Sequence, residues 1–124
     1  MNEAYKALGY NQANYIPLTP LSFLHRTADI YGDREAIVYG NKSYNWRHCR
    51  ERCIRIASSL ARSGIGLGDT VAVLAFNTPE MFESHFAVPM TGAVLNTINT
   101  RLDADTVSYI LEFGSAKALI VDRE

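Results

Sequence analysis

A chain of 124 residues with 48% hydrophobic and 20% charged side chains has the composition of one globular domain or a piece of one, too short for two cores. A net charge of −1 with no Lys/Arg run excludes the electrostatic footprint of a nucleic-acid binder and disfavours anionic membranes. Its longest apolar runs fall far short of the roughly 20 residues that span a bilayer, so no membrane span is expected.

The opening MNEAYKALGYNQANY lacks the apolar stretch of a secretory signal. An intracellular, reducing compartment is therefore expected, with the two cysteines as thiols. Residues 1–18 have no convincing period and read as a surface arm. A first helix then starts at Thr19 as N-cap with Pro20 at N1, where the missing N–H costs nothing. Leu21, Leu24, Ala28 and Tyr31 make its apolar face, and Gly32 is expected to end it with positive φ.

Glu35–Tyr39 and Ser43–Trp46 are short β-rich runs separated by Gly40, Asn41 and Lys42, the economical reading of which is a β-hairpin. Asn41-Lys42-Ser43 matches the N-glycosylation pattern, but an unmodified turn asparagine is expected. Asn45 caps a second helix running to about Ser63. Cys49, Cys53, Ile56, Ala57 and Leu60 share one face of it, and five arginines mostly occupy the others as a solvated surface.

Cys49 and Cys53, with His48 beside them, raise a metal site, but tetrahedral zinc needs four ligands, and His25 and His85 fall on other elements. Small buried thiols are the better account. Gly64, Gly66 and Gly68 resemble half of a dinucleotide fingerprint. They follow a helix and lead into a strand, the reverse of that motif's context, and are read as a helix stop and a turn.

Val71–Phe76 is apolar on both faces of the pleat, which requires cover on both sides and implies a parallel sheet flanked by helices. Thr78 caps the next helix, with Pro79 at N1 and Glu80 in the first turn. Met81, Phe82, His85 and Phe86 form its expected core stripe, with His85 partly buried and hydrogen-bonded. Pro89 is expected to kink or end that helix. Ala93–Ile98 makes a second parallel strand, Asp103 caps a helix through Phe113 with Val107, Ile110 and Leu111 buried, and Lys117–Val121 makes a third strand. Asn77 and Thr78, together with Asn99, Thr100 and Arg101, fall at the carboxyl ends of strands, where open α/β sheets bind ligands. For Arg101 a loop or surface ion pair is the expectation from spacing alone.

The fold class is thus α/β: βαβ units with a parallel sheet flanked by helices, preceded by a β-hairpin. SYNWRHCRERC, GDTVAVLAFN and FAVPMTGAVLNTINTRLDA resemble the N-terminal part of AMP-forming acyl-CoA ligases, and in particular plant acyl-activating enzymes for short carboxylic acids. The resemblance covers about Pro17 to Asp122 and belongs to the adenylate-forming superfamily, which includes luciferases and peptide-synthetase adenylation domains. It implies that residues 19–124 form an incomplete portion of the large N-terminal domain of such an enzyme.

The activity so implied has two steps. A carboxylate attacks the α-phosphate of ATP, with Mg2+, to give an acyl-adenylate and pyrophosphate, and the coenzyme A (CoA) thiolate then displaces AMP. The family's Ser/Thr/Gly-rich phosphate loop, aromatic-Thr-Glu motif, ribose-binding Asp and C-terminal lysine are not found in these residues. No catalytic, cofactor-binding or metal-ligating residue is assigned, and none of the cofactors is expected to bind this chain alone.

A three-stranded sheet this apolar, with open edges, reads as a fragment, a partial gene model or a short splice product. The alternative is a non-enzymatic α/β module that associates with, or regulates, a full-length ligase. Self-association through the open sheet edges is a further expectation. A third reading, a nucleotide-binding domain using the loops at Asn77 and Asn99, is opposed by the missing phosphate loop. Cytoplasm or peroxisome is the expected location, although Asp-Arg-Glu at the end of the sequence is not a peroxisomal tripeptide.

Overall fold

The computed structural model describes Gly9, Ala13 and residues 15–122, so most of the expected arm lies outside the described residues. The elements in chain order are α1 (Pro20–Ile30), β1 (Glu35–Tyr39), β2 (Lys42–Asn45), α2 (Trp46–Arg62), β3 (Thr70–Leu74), α3 (Pro79–Met90), β4 (Val94–Ile98), α4 (Ala104–Phe113) and β5 (Ala116–Val121). The α/β reading holds: β1 and β2 form an antiparallel hairpin, and β4-β3-β5 form a parallel sheet with β3 in the middle.

Each of these helices begins on a side chain that meets a free backbone N–H. Thr19 accepts from Ser22 N while the Ser22 hydroxyl accepts from Thr19 N, so two orphan donors are satisfied reciprocally. Asn45 accepts from His48 N at 2.8 Å, Thr78 from Met81 N at 3.4 Å and Asp103 from Thr106 N at 2.9 Å. All four caps stand where the local pattern puts them.

The end of α1 differs from expectation. Gly32 does not take positive φ. A Cβ there would lie 2.6 Å from the Ala28 carbonyl oxygen and 3.0 Å from Arg47 Nη2, so glycine is required by close approach. Gly114 caps α4 at φ −76°, and the left-handed residue is Ser115 at φ 48°. Gly64, by contrast, follows the cap of α2 at φ 79°, and Gly66 N donates to Asp69 Oδ2 at 2.8 Å. The glycine run is a helix stop and a turn.

β3 is shorter than Val71–Phe76, because Ala75 and Phe76 leave the sheet before α3. Val71, Ala72 and Val73 are nonetheless buried, as a central strand covered on both faces must be. Val71 packs with Ile65, Val88, Ala93, Leu95 and Ala118 on the side of α2 and α3. A second cluster joins Leu24, Cys49, Cys53, Ala57 and Ala87 where the three helices α1, α2 and α3 meet. Pro89 lies in the last turn of α3, which ends one residue later at Met90.

Two predicted core faces are corrected. In α3 the buried residues are Pro79, Met81, Glu83, Ser84, Ala87 and Val88, whereas Phe82 and His85 are exposed and Phe86 is half-buried. The helix is wedged between α2 and the sheet, so its covered arc is displaced from the aromatic stripe. α4 buries no residue fully; Val107, Ile110 and Leu111 are half-buried because that helix lies over an incompletely covered sheet face. Val94 and Val121, on the two outer strands, remain more than half exposed.

Candidate functional site

The strands β3 and β4 run parallel, so their carboxyl ends deliver two loops to one edge of the sheet. Thr78 N donates to Phe76 O at 2.7 Å, turning the chain sharply from β3 into α3. Asn99 Oδ1 accepts from Arg101 N at 3.0 Å, an Asx-type turn that leaves the Asn99 amide group free to donate. Of the residues placed at strand ends by sequence, Asn77, Asn99, Thr100 and Arg101 therefore line one 500 Å³ cleft with Thr97 and His85, whereas Thr78 does not.

A second groove of 640 Å³ adjoins it between the hairpin and α3. Ile37, Val38, Tyr39, Phe82 and Phe86 make its walls. Asn77, Met81 and His85 line both cavities. His85 Nδ1 lies 2.8 Å from Met81 O, which assigns a proton to Nδ1. The expected hydrogen bond is thus present although the ring is exposed.

Among the described residues Arg101 makes no ion pair, so the expected surface pair is not seen. Among the described residues no carboxylate lines either cavity, which leaves Mg2+ without the anionic oxygen ligands it prefers at this position.

The other chemistry-bearing residues serve packing. Cys49 and Cys53 are wholly buried, one turn apart on α2. Their mutual interaction holds the Cys49 thiol below its ordinary range, and with burial it pushes Cys53 well above it. Among the described residues no group of three or more His, Cys, Asp or Glu side chains is placed to hold a metal ion.

Periodicity missed Glu83, which is fully buried on α3. Arg52 Nε and Nη2 reach its two oxygens at 2.5 and 3.1 Å, and the Arg52 guanidinium also lies 4.8 Å from the Tyr44 ring centre. The hydrogen bonds to Glu83 raise the Arg52 pKa further, so the guanidinium stays charged at every working pH. Its partner lies 31 positions away, beyond the reach of any local pattern.

Residues 24–124 match the family model described as AMP-binding enzyme. Acyl-activating enzyme 5, peroxisomal, of Arabidopsis thaliana is similar at 58% identity over 111 residues, 89% of this chain and 20% of that one. The acetate–CoA ligase CCL3 of Humulus lupulus is 48% identical over 114 residues, 92% of this chain and 20% of that protein. The chain spans about one fifth of the length of these relatives.

Among solved structures, a Rhodopseudomonas palustris protein assigned to the long-chain-fatty-acid CoA ligases superposes with a TM-score of 0.80 at 34% identity. The match covers 84% of this chain and 26% of that one. Hairpin, helices and parallel sheet thus correspond to the N-terminal part of an adenylate-forming enzyme. The chain belongs to the AMP-binding enzyme family.

Proposed function

We propose that these residues are the N-terminal part of an acyl-CoA ligase that joins a short carboxylic acid to CoA through an acyl-adenylate. The observation that carries this reading is the 48% identity to an acetate–CoA ligase over 92% of the chain. ATP, Mg2+, CoA and the acid are the ligands of the complete enzyme. Among the described residues no carboxylate for Mg2+ lines the strand-end cleft, which supports the reading that the 124 residues alone are inactive. Their role in the reaction is to form one wall of the enzyme's large domain. Cytoplasm or peroxisome is the proposed location, supported by the name of the peroxisomal relative.

The test replaces the matching segment of the hop acetate–CoA ligase with this chain and measures acetate- and butyrate-dependent ATP–pyrophosphate exchange. The chimera is expected to retain exchange and the isolated chain to show none. A folded but inactive chimera overturns the ligase reading, and exchange by the isolated chain overturns the inactivity.

A second reading, a non-enzymatic module that pairs with a ligase, is favoured by the open outer edge of β5, where Leu119 and Val121 are exposed. A monodisperse chain that unfolds cooperatively and co-sediments with the hop ligase supports it. Sedimentation apart from that ligase counts against it.

A further inference from the structure

The two cysteines of the chain, Cys49 and Cys53, are both 0% exposed. They stand four residues apart on the inner face of α2 and pack with Leu24 of α1, Ala57 of α2 and Ala87 of α3. Their cover comes from this chain's own helices, so further residues of a longer protein only add to it. The two thiols shift one another's ionisation, as neighbours on one helix face do. A helix nonetheless cannot hold them as a disulfide. Residues four apart keep their Cβ atoms about 5–6 Å apart, whereas a disulfide brings them to about 3.5–4.5 Å. α2 is helical without a break from Trp46 to Arg62, and it has no proline or glycine at which to bend.

We propose that Cys49 and Cys53 are a redox pair gated by the fold. The folded chain keeps them as a dithiol, and a small disulfide such as oxidised glutathione joins them only when α2 opens, after which the chain cannot refold. One cysteine thiolate attacks a sulfur of oxidised glutathione and releases a first glutathione thiolate; the other cysteine thiolate then attacks the mixed disulfide and releases the second. Over both exchanges the glutathione S–S bond is lost and the Cys49–Cys53 bond is gained. The two cysteine protons end on the two glutathione thiols, and two electrons pass from the protein to the oxidant. Because only the dithiol fits the fold, folding and reduction favour each other by the same factor.

The test equilibrates the 124-residue chain with mixtures of reduced and oxidised glutathione, with and without a denaturing concentration of urea, and counts the disulfide monomer by mass after acid quenching. At a fixed glutathione mixture, the ratio of disulfide to dithiol should be at least about a hundredfold lower without urea. Thiol loss should quicken as urea opens the chain, in step with the emission of Trp46, the one tryptophan, which packs against the same cluster. The purified disulfide form should lack native circular dichroism without urea and regain it on reduction with dithiothreitol.

An equal ratio with and without urea overturns the proposal, as does a disulfide monomer that keeps native circular dichroism and Trp46 emission. Thiols lost equally fast without urea, or disulfide-linked dimers as the main product, overturn it too. The variant Cys49→Ala/Cys53→Ala should regain native circular dichroism after the same treatment and removal of urea, and lasting loss in it refutes the assignment to this pair. If that variant fails to fold, the ratio measured on the unsubstituted chain decides.

Discussion

Breaking the Arg52–Glu83 pair from one end or the other should have unequal costs. The Glu83 side chain is 0% exposed, while Arg52 retains 27% exposure, has Glu80 Oε1 at 3.6 Å and packs on the Tyr44 ring. Arg52→Met keeps the apolar stem and strands a buried carboxylate, which should cost about 3–5 kcal/mol. Glu83→Gln leaves an arginine that turns toward water, Glu80 and Tyr44, and one amide oxygen still accepts its hydrogen bond. The loss should then be about 1.5–3 kcal/mol. Urea unfolding at pH 7 and 25 °C with a common m-value measures both. The double variant Arg52→Met/Glu83→Leu should recover much of the loss, because no buried charge remains unpaired. If Glu83→Gln costs as much as Arg52→Met, or if the double variant is additive, the buried carboxylate is not what makes the pair indispensable.

Three further outcomes follow from local geometry. Ser115→Gly relieves a left-handed φ of 48° and should stabilise by about 0.5–1 kcal/mol, read as a higher thermal midpoint. Gly32→Ala places a methyl 2.6 Å from the Ala28 oxygen and should destabilise by about 1–3 kcal/mol in urea unfolding. The Gly66 N–H and then Lys117 hold the Asp69 carboxyl below its ordinary range. The folded pKa is lowered, so this contribution is present above the unfolded value and is lost as pH falls through about 4 and below. Asp69→Asn should flatten that acid limb in unfolding measured from pH 7 to pH 2; an unchanged slope would show that the turn does not depend on the charge.

The sequence by itself determined what depends on neighbours three or four residues apart. Thr19, Asn45, Thr78 and Asp103 were legible as caps because each meets a backbone N–H within its own first turn. β3 was legible as a covered parallel strand because Val71, Ala72 and Val73 leave no polar face for water. The strand-end loops at Asn77 and Asn99–Arg101 followed from that direction, since parallel strands put their carboxyl ends on one edge.

Tertiary structure alone decided what depends on distant partners. The order β4-β3-β5 is a choice among pairings equally compatible with three apolar runs. Glu83 is buried, and His85 exposed, because α2 brings Arg52 to one side of α3 and the hairpin leaves the other open. Gly32 is small because Ala28 and Arg47 converge on it, a contact that no dihedral preference announces. The apolar groove between β1 and α3 exists only because elements about 40 residues apart face each other without closing, and that gap is a property of packing rather than of any local run.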